Sequence, residues 1–227
     1  MTARRGLLFV IAAPSGTGKT TVCRAVVARD PAIAFSVSHT TRARRAEERD
    51  GVDYHFVDAA EFERMVAAGE FLEHARYSGN LYGTSWAAID EPLARGRDVL
   101  LEIETEGARQ VRERRRDARL IFLLPPSLRE LEARLCGRGT DDTAEVARRL
   151  EIARREFGAA ALFEAFVVNE RLEQAVGDVL ELIGRFREGE RGELPERFRL
   201  PAARAHLDPA LAQWLPVPPV ATARGDA

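Results

Sequence analysis

Residues 7–20 read LLFVIAAPSGTGKT, and this stretch carries the strongest fold signal in the chain. Residues 7–13 form an uninterrupted apolar run, which is typical of a strand buried on both faces of a sheet. The proline and two glycines of residues 14–18 break the run. Residues 19–29 then follow with a helical pattern, so the stretch predicts a strand, a glycine-rich loop and a helix in direct succession.

Residues 13–20 fit the phosphate-binding pattern G-x-x-x-x-G-K-[ST] at every fixed position except the first, where Ala13 replaces glycine. Gly16 and Gly18 allow a tight turn whose backbone N–H groups point inward, toward an anion at the helix N-terminus. Lys19 is predicted to reach the β- and γ-phosphates, and the Thr20 hydroxyl to ligate Mg²⁺. The predicted ATP contacts of this P-loop are Ala13, Pro14, Ser15, Gly16, Thr17, Gly18, Lys19, Thr20 and Thr21.

The basic residues of the chain are almost all arginine. Of 34 lysine and arginine residues, Lys19 is the only lysine. Lysine and arginine are not interchangeable, because lysine carries a compact ammonium group and arginine a planar guanidinium group. The one retained lysine therefore falls at the position where the phosphate-binding pattern requires it.

The rest of the chain alternates strand-like and helix-like patterns, which predicts βαβ units in an α/β fold. We expect a P-loop NTPase-type parallel sheet flanked by helices. Strands are predicted at 34–37, 71–77, 98–103, 119–124 and 166–168, and helices at 58–68, 85–95, 108–116, 142–157 and 172–187, with a further helix starting after Ser127.

Composition excludes some classes of protein. No apolar run approaches the length of about 18 residues that a membrane span needs. The net charge of −2 argues neither for nor against nucleic-acid binding, but no aromatic residues interleave with the arginines of residues 112–116. The two cysteines are too few for a disulfide framework, which favours a reducing, cytoplasmic setting. We therefore expect neither a membrane nor a nucleic-acid partner, and a monomer or homodimer. Residues 191–227 are predicted to be a Pro/Ala-rich tail, partly disordered.

A second group of motifs gathers hydroxyl, arginine and aromatic side chains. Residues 36–45 read SVSHTTRARR and residues 50–56 read DGVDYHF, followed by FLEHA at 71–75 and SGNLYGT at 78–84. Together with the P-loop, these motifs closely resemble the guanylate kinase family, over about residues 7–187. The resemblance implies a family domain at 1–190, with its core at 1–35 and 97–190, a GMP-binding subdomain at about 36–96 and a mobile lid at about 134–150.

The activity that the resemblance implies is ATP-dependent phosphorylation of GMP to GDP, with ATP and GMP as small-molecule partners and Mg²⁺ as cofactor. Residues 100–107, LLEIETEG, resemble the acidic strand end of the family, commonly D-I-D-x-Q-G, with glutamates in place of the aspartates. The GMP-binding residues implied are Ser38, Arg42, Arg45, Tyr54, Glu73, Tyr82, Gly83, Thr84, Glu102 and Glu104. The implied catalytic residues are Lys19, Arg42, Arg138 and Arg149, while Arg134 and Asn169 belong to the ATP side.

Glu73 has a physical reason to select guanine. Guanine presents its N1–H and N2–H₂ donors side by side, and one carboxylate accepts both. Adenine has an acceptor at N1 and no amine at C2, so it would leave a buried carboxylate unpaired at a cost of several kcal/mol.

Two alternatives stay open at this point. One is a non-catalytic guanylate-kinase-like interaction module, against which the retained P-loop lysine and glycines argue. The other is a kinase for a different small phosphorylated acceptor, which has no need to keep Ser38, Glu73 and Thr84 together. The arginines of residues 42–45 are also compatible with a solvated basic loop, and those of residues 112–116 with a solvated helix end.

Overall fold

The computed structural model of the protein describes residues 5–77, 79–136, 143–189 and 194–217. Arg138 and part of the predicted lid lie outside these residues. The strands are β1 (Leu8–Ala12), β2 (Ile33–Phe35), β3 (His39–Thr40), β4 (His55–Phe56), β5 (Phe71–Tyr77), β6 (Asn80–Ser85), β7 (Asp98–Ile103), β8 (Arg119–Leu124) and β9 (Ala165–Val168). The helices are α1 (Lys19–Arg29), α2 (Ala59–Ala67), α3 (Trp86–Ala94), α4 (Thr105–Arg114), α5 (Leu128–Cys136), α6 (Thr143–Gly158), α7 (Leu172–Arg187), α8 (Leu200–His206) and α9 (Pro209–Ala212).

The central sheet is parallel, with the strand order β2-β7-β1-β8-β9. Its middle strand, β1, is fully buried because its side chains alternate between two apolar clusters. Phe9 and Ile11 join the cluster formed with α1 and α7, whereas Leu8 and Val10 join the cluster formed with α3, α4 and α5. The predicted parallel sheet with helices on both faces is therefore confirmed.

A second sheet, of mixed direction, has the order β4-β3-β6-β5. β3 pairs in parallel with β4 and antiparallel with β6, and β5 pairs antiparallel with β6. The sequence predicted β5 but neither β6 nor the two-residue strands β3 and β4. These strands are defined by pairing across the chain, and they bring residues 39, 73 and 83 into one sheet.

Polar side chains and a glycine mark the ends of two helices. The Asp58 carboxylate accepts a hydrogen bond from the Glu61 amide at 2.8 Å and begins α2. Gly69, which follows α2, takes a left-handed conformation with φ of 68°. The Ser127 hydroxyl likewise accepts from the Glu130 amide at 3.0 Å at the start of α5.

The chain after α7 differs from the prediction. Residues 194–217 form a 3₁₀ turn (Glu196–Phe198) and the helices α8 and α9, and they pack on the sheet instead of forming an irregular appendage. Phe198, Leu211 and Leu215 are buried among core residues. Each apolar piece is too short to show a helical period, so no local pattern indicates that this segment packs on the core. Residues 218–227 of the predicted tail lie outside the described part.

Candidate active site

The carboxyl ends of the parallel strands meet at one edge of the central sheet, where open α/β sheets bind their ligands. The P-loop follows β1, Glu104 follows β7 and Asn169 follows β9. A cleft of about 650 Å³ opens at this edge and is lined by residues of both sheets. A cleft of this size can hold small-molecule ligands.

The P-loop adopts a conformation that only glycine accommodates easily at two positions. Gly16 and Gly18 have φ values of 86° and 89°. A Cβ atom on Gly18 would lie 2.7 Å from Nδ2, the side-chain amide nitrogen of Asn169. That amide donates to the Thr17 carbonyl at 2.7 Å, and Arg134 Nη1 donates to the same carbonyl at 3.1 Å. Asn169 and Arg134 therefore hold the backbone of the loop through the Thr17 carbonyl.

Lys19 is held ready by acceptors at the end of β7. Its Nζ donates to Glu104 Oε1 at 2.9 Å and to the Ile103 carbonyl at 3.0 Å. Burial by itself disfavours the charged ammonium, but the carboxylates of Glu104 and Glu102 outweigh burial and raise the pKa of Lys19 above its ordinary value. Lys19 therefore stays a cation in the cleft at any physiological pH.

Thr20 and Glu102 form the adjacent oxygen-rich corner of the cleft. The Thr20 hydroxyl donates to Glu102 Oε1 at 2.5 Å. Burial raises the pKa of Glu102, and Lys19 opposes that rise. The family resemblance implies that Glu102 helps to organise Lys19 or the metal and that Glu104 contacts the nucleotide. In the structure Glu104 pairs with Lys19, and Glu102 pairs with Thr20.

At the other end of the cleft, a buried carboxylate is held by a chain of hydroxyls. Glu73 is 3% exposed, and its Oε1 accepts from the Thr84 hydroxyl at 2.6 Å. Thr84 Oγ1 lies 2.9 Å from Ser38 Oγ, and because the single Thr84 proton goes to Glu73, Ser38 is the donor of that bond. Burial raises the pKa of Glu73 to about 7, although the Thr84 hydrogen bonds oppose the shift.

The start of α4 leaves room for the Glu73 carboxylate. A Cβ atom on Gly107 would come within 2.5 Å of Glu73 Oε2, so only glycine fits there without moving the carboxylate. Gly83, opposite His39 and His74 in the second sheet, is packed against Phe71 in the same way. The predicted Gly83 thus lies behind the cleft and not in its lining.

The arginine-rich loop after β3 is an ordered part of the cleft wall. Arg42 Nη2 donates to Glu48 Oε1 at 2.6 Å, and its guanidinium carbon lies 5.5 Å from the centre of the Tyr54 ring. The bond to Glu48 is the main cause that raises the pKa of Arg42. Tyr82 stands edge-to-face with Tyr54, with ring centres 6.0 Å apart. Arg45 is exposed at the rim, and its amide donates to Glu48 Oε2 at 2.9 Å.

Arg149 of α6 reaches the P-loop from the lid side. Its Nη2 donates to the Ser15 hydroxyl at 3.0 Å, and its Nη1 donates to the Leu135 carbonyl at 3.2 Å. The predicted residues Pro14 and Thr21 line the cleft. Ala13 is buried at the end of β1, where its carbonyl lies 3.4 Å from Lys19 Nζ.

Glu156 and Glu48 are among the residues at the site that were not predicted. Glu156 of α6 is 8% exposed, and burial, together with the charge of Glu104, raises its pKa to about 9. It stands three positions after buried Ala153 on the apolar face of α6, a place where an acidic residue is a sequence signal in itself. Glu48, the partner of Arg42, lies between the motifs of residues 36–45 and 50–56.

The fold and the loop define a P-loop nucleotide-binding protein of the α/β class. Residues 5–185 match the sequence model of the family described as guanylate kinase. The chain belongs to the guanylate kinase family.

Three similar proteins illustrate the extent of the likeness. The guanylate kinase of Chromohalobacter salexigens is 45% identical over 211 residues, 93% of this chain and 94% of that one. The guanylate kinase of Thermus thermophilus is 50% identical over 198 residues, 86% of this chain and 88% of that one. The crystal structure of guanylate kinase from Anaplasma phagocytophilum matches with a TM-score of 0.65 and 29% identity, covering 85% of this chain and 90% of that one.

Within the described residues, no helix combines the length and the apolar character that crossing a bilayer requires.

Proposed function

We propose that this chain transfers the γ-phosphoryl group of ATP to GMP, forming ADP and GDP. One observation carries the proposal. A single cleft holds a P-loop lysine at one end and, at the other, a buried carboxylate set between hydroxyls beside a wall of arginine and tyrosine. An enzyme that transfers a phosphoryl group between two nucleotides must bind both nucleotides in the same cleft.

The P-loop half suits the triphosphate of ATP. Backbone N–H groups of residues 15–19 and the N-terminus of α1 supply fixed partial positive charge to the phosphates. Lys19 adds a full positive charge at the β- and γ-phosphates. Arg134 and Asn169 stabilise the conformation of the loop through the Thr17 carbonyl.

The corner formed by Thr20 and Glu102 suits Mg²⁺, which prefers oxygen ligands and is usually held by few protein groups together with substrate phosphates. The Thr20 hydroxyl would hold the ion. Glu102 Oε1, 2.5 Å from that hydroxyl, would orient the hydroxyl. When bound, the ion would neutralise charge that develops on the β- and γ-phosphate oxygens.

The other half suits GMP. Ionised Glu73 accepts from both N1–H and N2–H₂ of guanine, and the Ser38 and Thr84 hydroxyls keep the carboxylate in place. The phosphate of GMP would take Arg42 away from Glu48, because a dianion attracts a guanidinium more strongly than a single carboxylate does. Arg45, Tyr54 and Tyr82 line the same part of the cleft.

Phosphoryl transfer requires alignment and charge stabilisation, with no covalent help from the protein. The GMP phosphate is the nucleophile, and the chain holds it in line with the γ-phosphate. Lys19 and Arg149 would stabilise the transferring group, since Arg149 already reaches Ser15 of the P-loop. Arg138, outside the described residues, is proposed to join them.

A coupled assay of ADP release with Mg-ATP, offering GMP, AMP, UMP, CMP or water as acceptor, tests the proposal. We expect turnover with GMP at least about 10²-fold above any other acceptor, from the donor matching at Glu73. Binding of GMP without turnover would support the non-catalytic interaction module instead. The retained Lys19 and its pairing with Glu104 disfavour that alternative.

GMP binding is expected to weaken in acid. Burial gives Glu73 a pKa of about 7, and guanine binds the ionised form. Below that pH, Glu73 must lose its proton before it can bind GMP. The Kd for GMP should therefore rise about tenfold for each pH unit below the pKa of Glu73. Calorimetric titration between about pH 6 and pH 8 measures this. The GMP phosphate itself titrates near about pH 6, so Glu73→Gln, which keeps the phosphate titration alone, is the control.

A cytoplasmic location is proposed from the same chemistry and from the cysteines. Cys136 is an exposed free thiol and Cys23 a buried one, as expected in a reducing compartment. The oligomeric state, monomer or homodimer, stays a prediction.

A further inference from the structure

The C-terminal part of the described chain lies outside the match to the guanylate kinase family, which ends at residue 185. We propose that residues 194–217, here named the C-terminal strap, position the ATP-side arginines Arg134 and Arg149 by holding the helices α5 and α6 that carry them. The inference deepens the proposed function and rests on it, because it assigns the strap to the ATP half of the cleft.

The strap caps α5 with a side chain from a distant part of the sequence. Asp208 Oδ2 accepts from the Leu128 amide, the first residue of α5, at 2.7 Å. The Asp208 amide lies 3.4 Å from the Pro126 carbonyl. The first amides of a helix have no partner within the helix, and a carboxylate there also interacts favourably with the helix dipole. Asp208 therefore adds a second side-chain contact at the start of α5, beside the Ser127 cap.

Asp208 fastens the strap at the same time. Its Oδ1 accepts from the Ala210 and Leu211 amides, at 2.9 and 3.1 Å, and begins α9. One carboxylate thus joins the start of a strap helix to the start of α5. Arg204 closes the strap on itself by donating to the Leu215 and Pro216 carbonyls, at 3.2 and 3.1 Å.

Helix α5 in turn supports the P-loop. Arg134, in its last turn, donates to the Thr17 carbonyl and, at 3.3 Å, to the Asn169 carbonyl. Leu131 and Leu135 stand so close to Gly16 that a Cβ atom there would lie 3.2 and 2.9 Å from them. A shift of α5 would therefore move both the polar and the apolar support of the loop.

The strap also packs on α6. The Trp214 ring stands edge-to-face with the Phe157 ring, with centres 5.7 Å apart. Leu211 and Leu215 are buried in the apolar cluster that contains Phe157, Leu131 and Leu135. Two turns before Phe157, α6 carries Arg149, which donates to Ser15 of the P-loop. The strap thus contacts both helices that reach the phosphate site.

None of the described strap contacts reaches the GMP half of the cleft. Ser38, Glu73, Tyr82 and Thr84 belong to the second sheet or to the segment leading into it. The proposal therefore makes an asymmetric prediction: loosening the strap disturbs ATP and leaves GMP alone.

The variant Asp208→Ala tests the proposal in the full-length chain, at a temperature where every variant is folded. Loss of the cap should raise the KM for ATP about fivefold and leave the KM for GMP within about twofold. Amide exchange in the first turn of α5 should rise in the same variant. Asp208→Asn keeps one carbonyl oxygen as acceptor. Its KM for ATP should lie between those of the parent chain and of Asp208→Ala.

Phe198→Leu is the matched control, because Phe198 is a buried strap residue that packs in the cluster of α1 and α7. It should lower the Tm without changing the KM for ATP. Equal changes for ATP and GMP in Asp208→Ala, or faster exchange in α5 with an unchanged KM for ATP, would reduce the strap to a stabilising element. If Asp208→Ala does not fold, Trp214→Leu gives the same comparison through α6.

Calorimetry with a non-hydrolysable ATP analogue separates this proposal from the proposed function, since it needs no acceptor. Weaker analogue binding in Asp208→Ala supports the strap even if the parent chain does not phosphorylate GMP. Unchanged analogue binding in an enzyme that does phosphorylate GMP overturns the strap alone.

Discussion

Replacing Lys19 by Met is expected to lower kcat for phosphoryl transfer by about 10²–10³-fold, with a smaller change in the KM for ATP. Lys19 Nζ is already held by Glu104 and the Ile103 carbonyl, so its charge is in place before the reaction begins. Such preorganised charge acts where negative charge develops in the transition state. Met keeps the unbranched stem of the side chain and removes only the ammonium.

Single-turnover measurement with saturating Mg-ATP and GMP checks this expectation, because product release does not enter. Arg29→Ala is the matched control: it removes a cation from the same helix, but one that pairs with Glu173 on the surface. That variant should keep its kcat within about twofold. A folded Lys19→Met enzyme with the kcat of the parent would show that the P-loop does not hold the transferring phosphate in this chain.

The P-loop half of the site could be predicted because its signals are local. The apolar run of β1, the two glycines and the helical pattern that follows are adjacent in sequence. The predicted helix 19–29 agrees with α1 at both ends. Here the backbone conformation is dictated by neighbouring residues, so no long-range contact had to be known.

The other half depends on pairing between distant segments. Ser38, Glu73 and Thr84 meet because β6 pairs with both β3 and β5, and β3 is two residues long. Such a strand has no period to detect. Residue motifs gave the candidates through resemblance to a family, and only the fold shows that they meet in one cleft.

The strap and Glu156 were missed for opposite reasons. Helices of seven and four residues, α8 and α9, are stabilised by burial against the core and not by their own pattern. Glu156 lies in a clearly helical segment, and its significance comes from the carboxylate of Glu104, more than fifty positions earlier, which no local pattern reports.

Replacing Glu73 by Gln is expected to reduce the preference for GMP over AMP, measured as the ratio of kcat/KM values, by about 10²-fold or more. The carboxylate accepts from two adjacent guanine donors, whereas the carboxamide offers one acceptor and turns an N–H₂ group toward the second donor. The same N–H₂ group can donate to N1 of adenine, so activity with AMP should rise slightly while activity with GMP falls.

This substitution should not unfold the protein. Burial raises the pKa of Glu73 to about 7 from its ordinary value of 4.5. The stability contributed by this group is thus present below the unfolded-state pKa and lost as the pH rises through the folded-state pKa. At about pH 8 the parent buries a charge that the neutral, isosteric Gln does not, so the Tm of the variant should equal or exceed that of the parent.

Glu70→Gln is the matched control for selectivity, since Glu70 precedes the same strand but pairs with Arg64 at 2.7 Å on the surface. It removes one carboxylate by the same chemical change and should leave the GMP to AMP ratio unaltered. A folded Glu73→Gln protein that discriminates GMP from AMP as well as the Glu70→Gln protein would refute the assignment. Guanine would then be recognised elsewhere in the cleft, and the hydroxyl chain from Ser38 through Thr84 would serve only to satisfy a buried carboxylate.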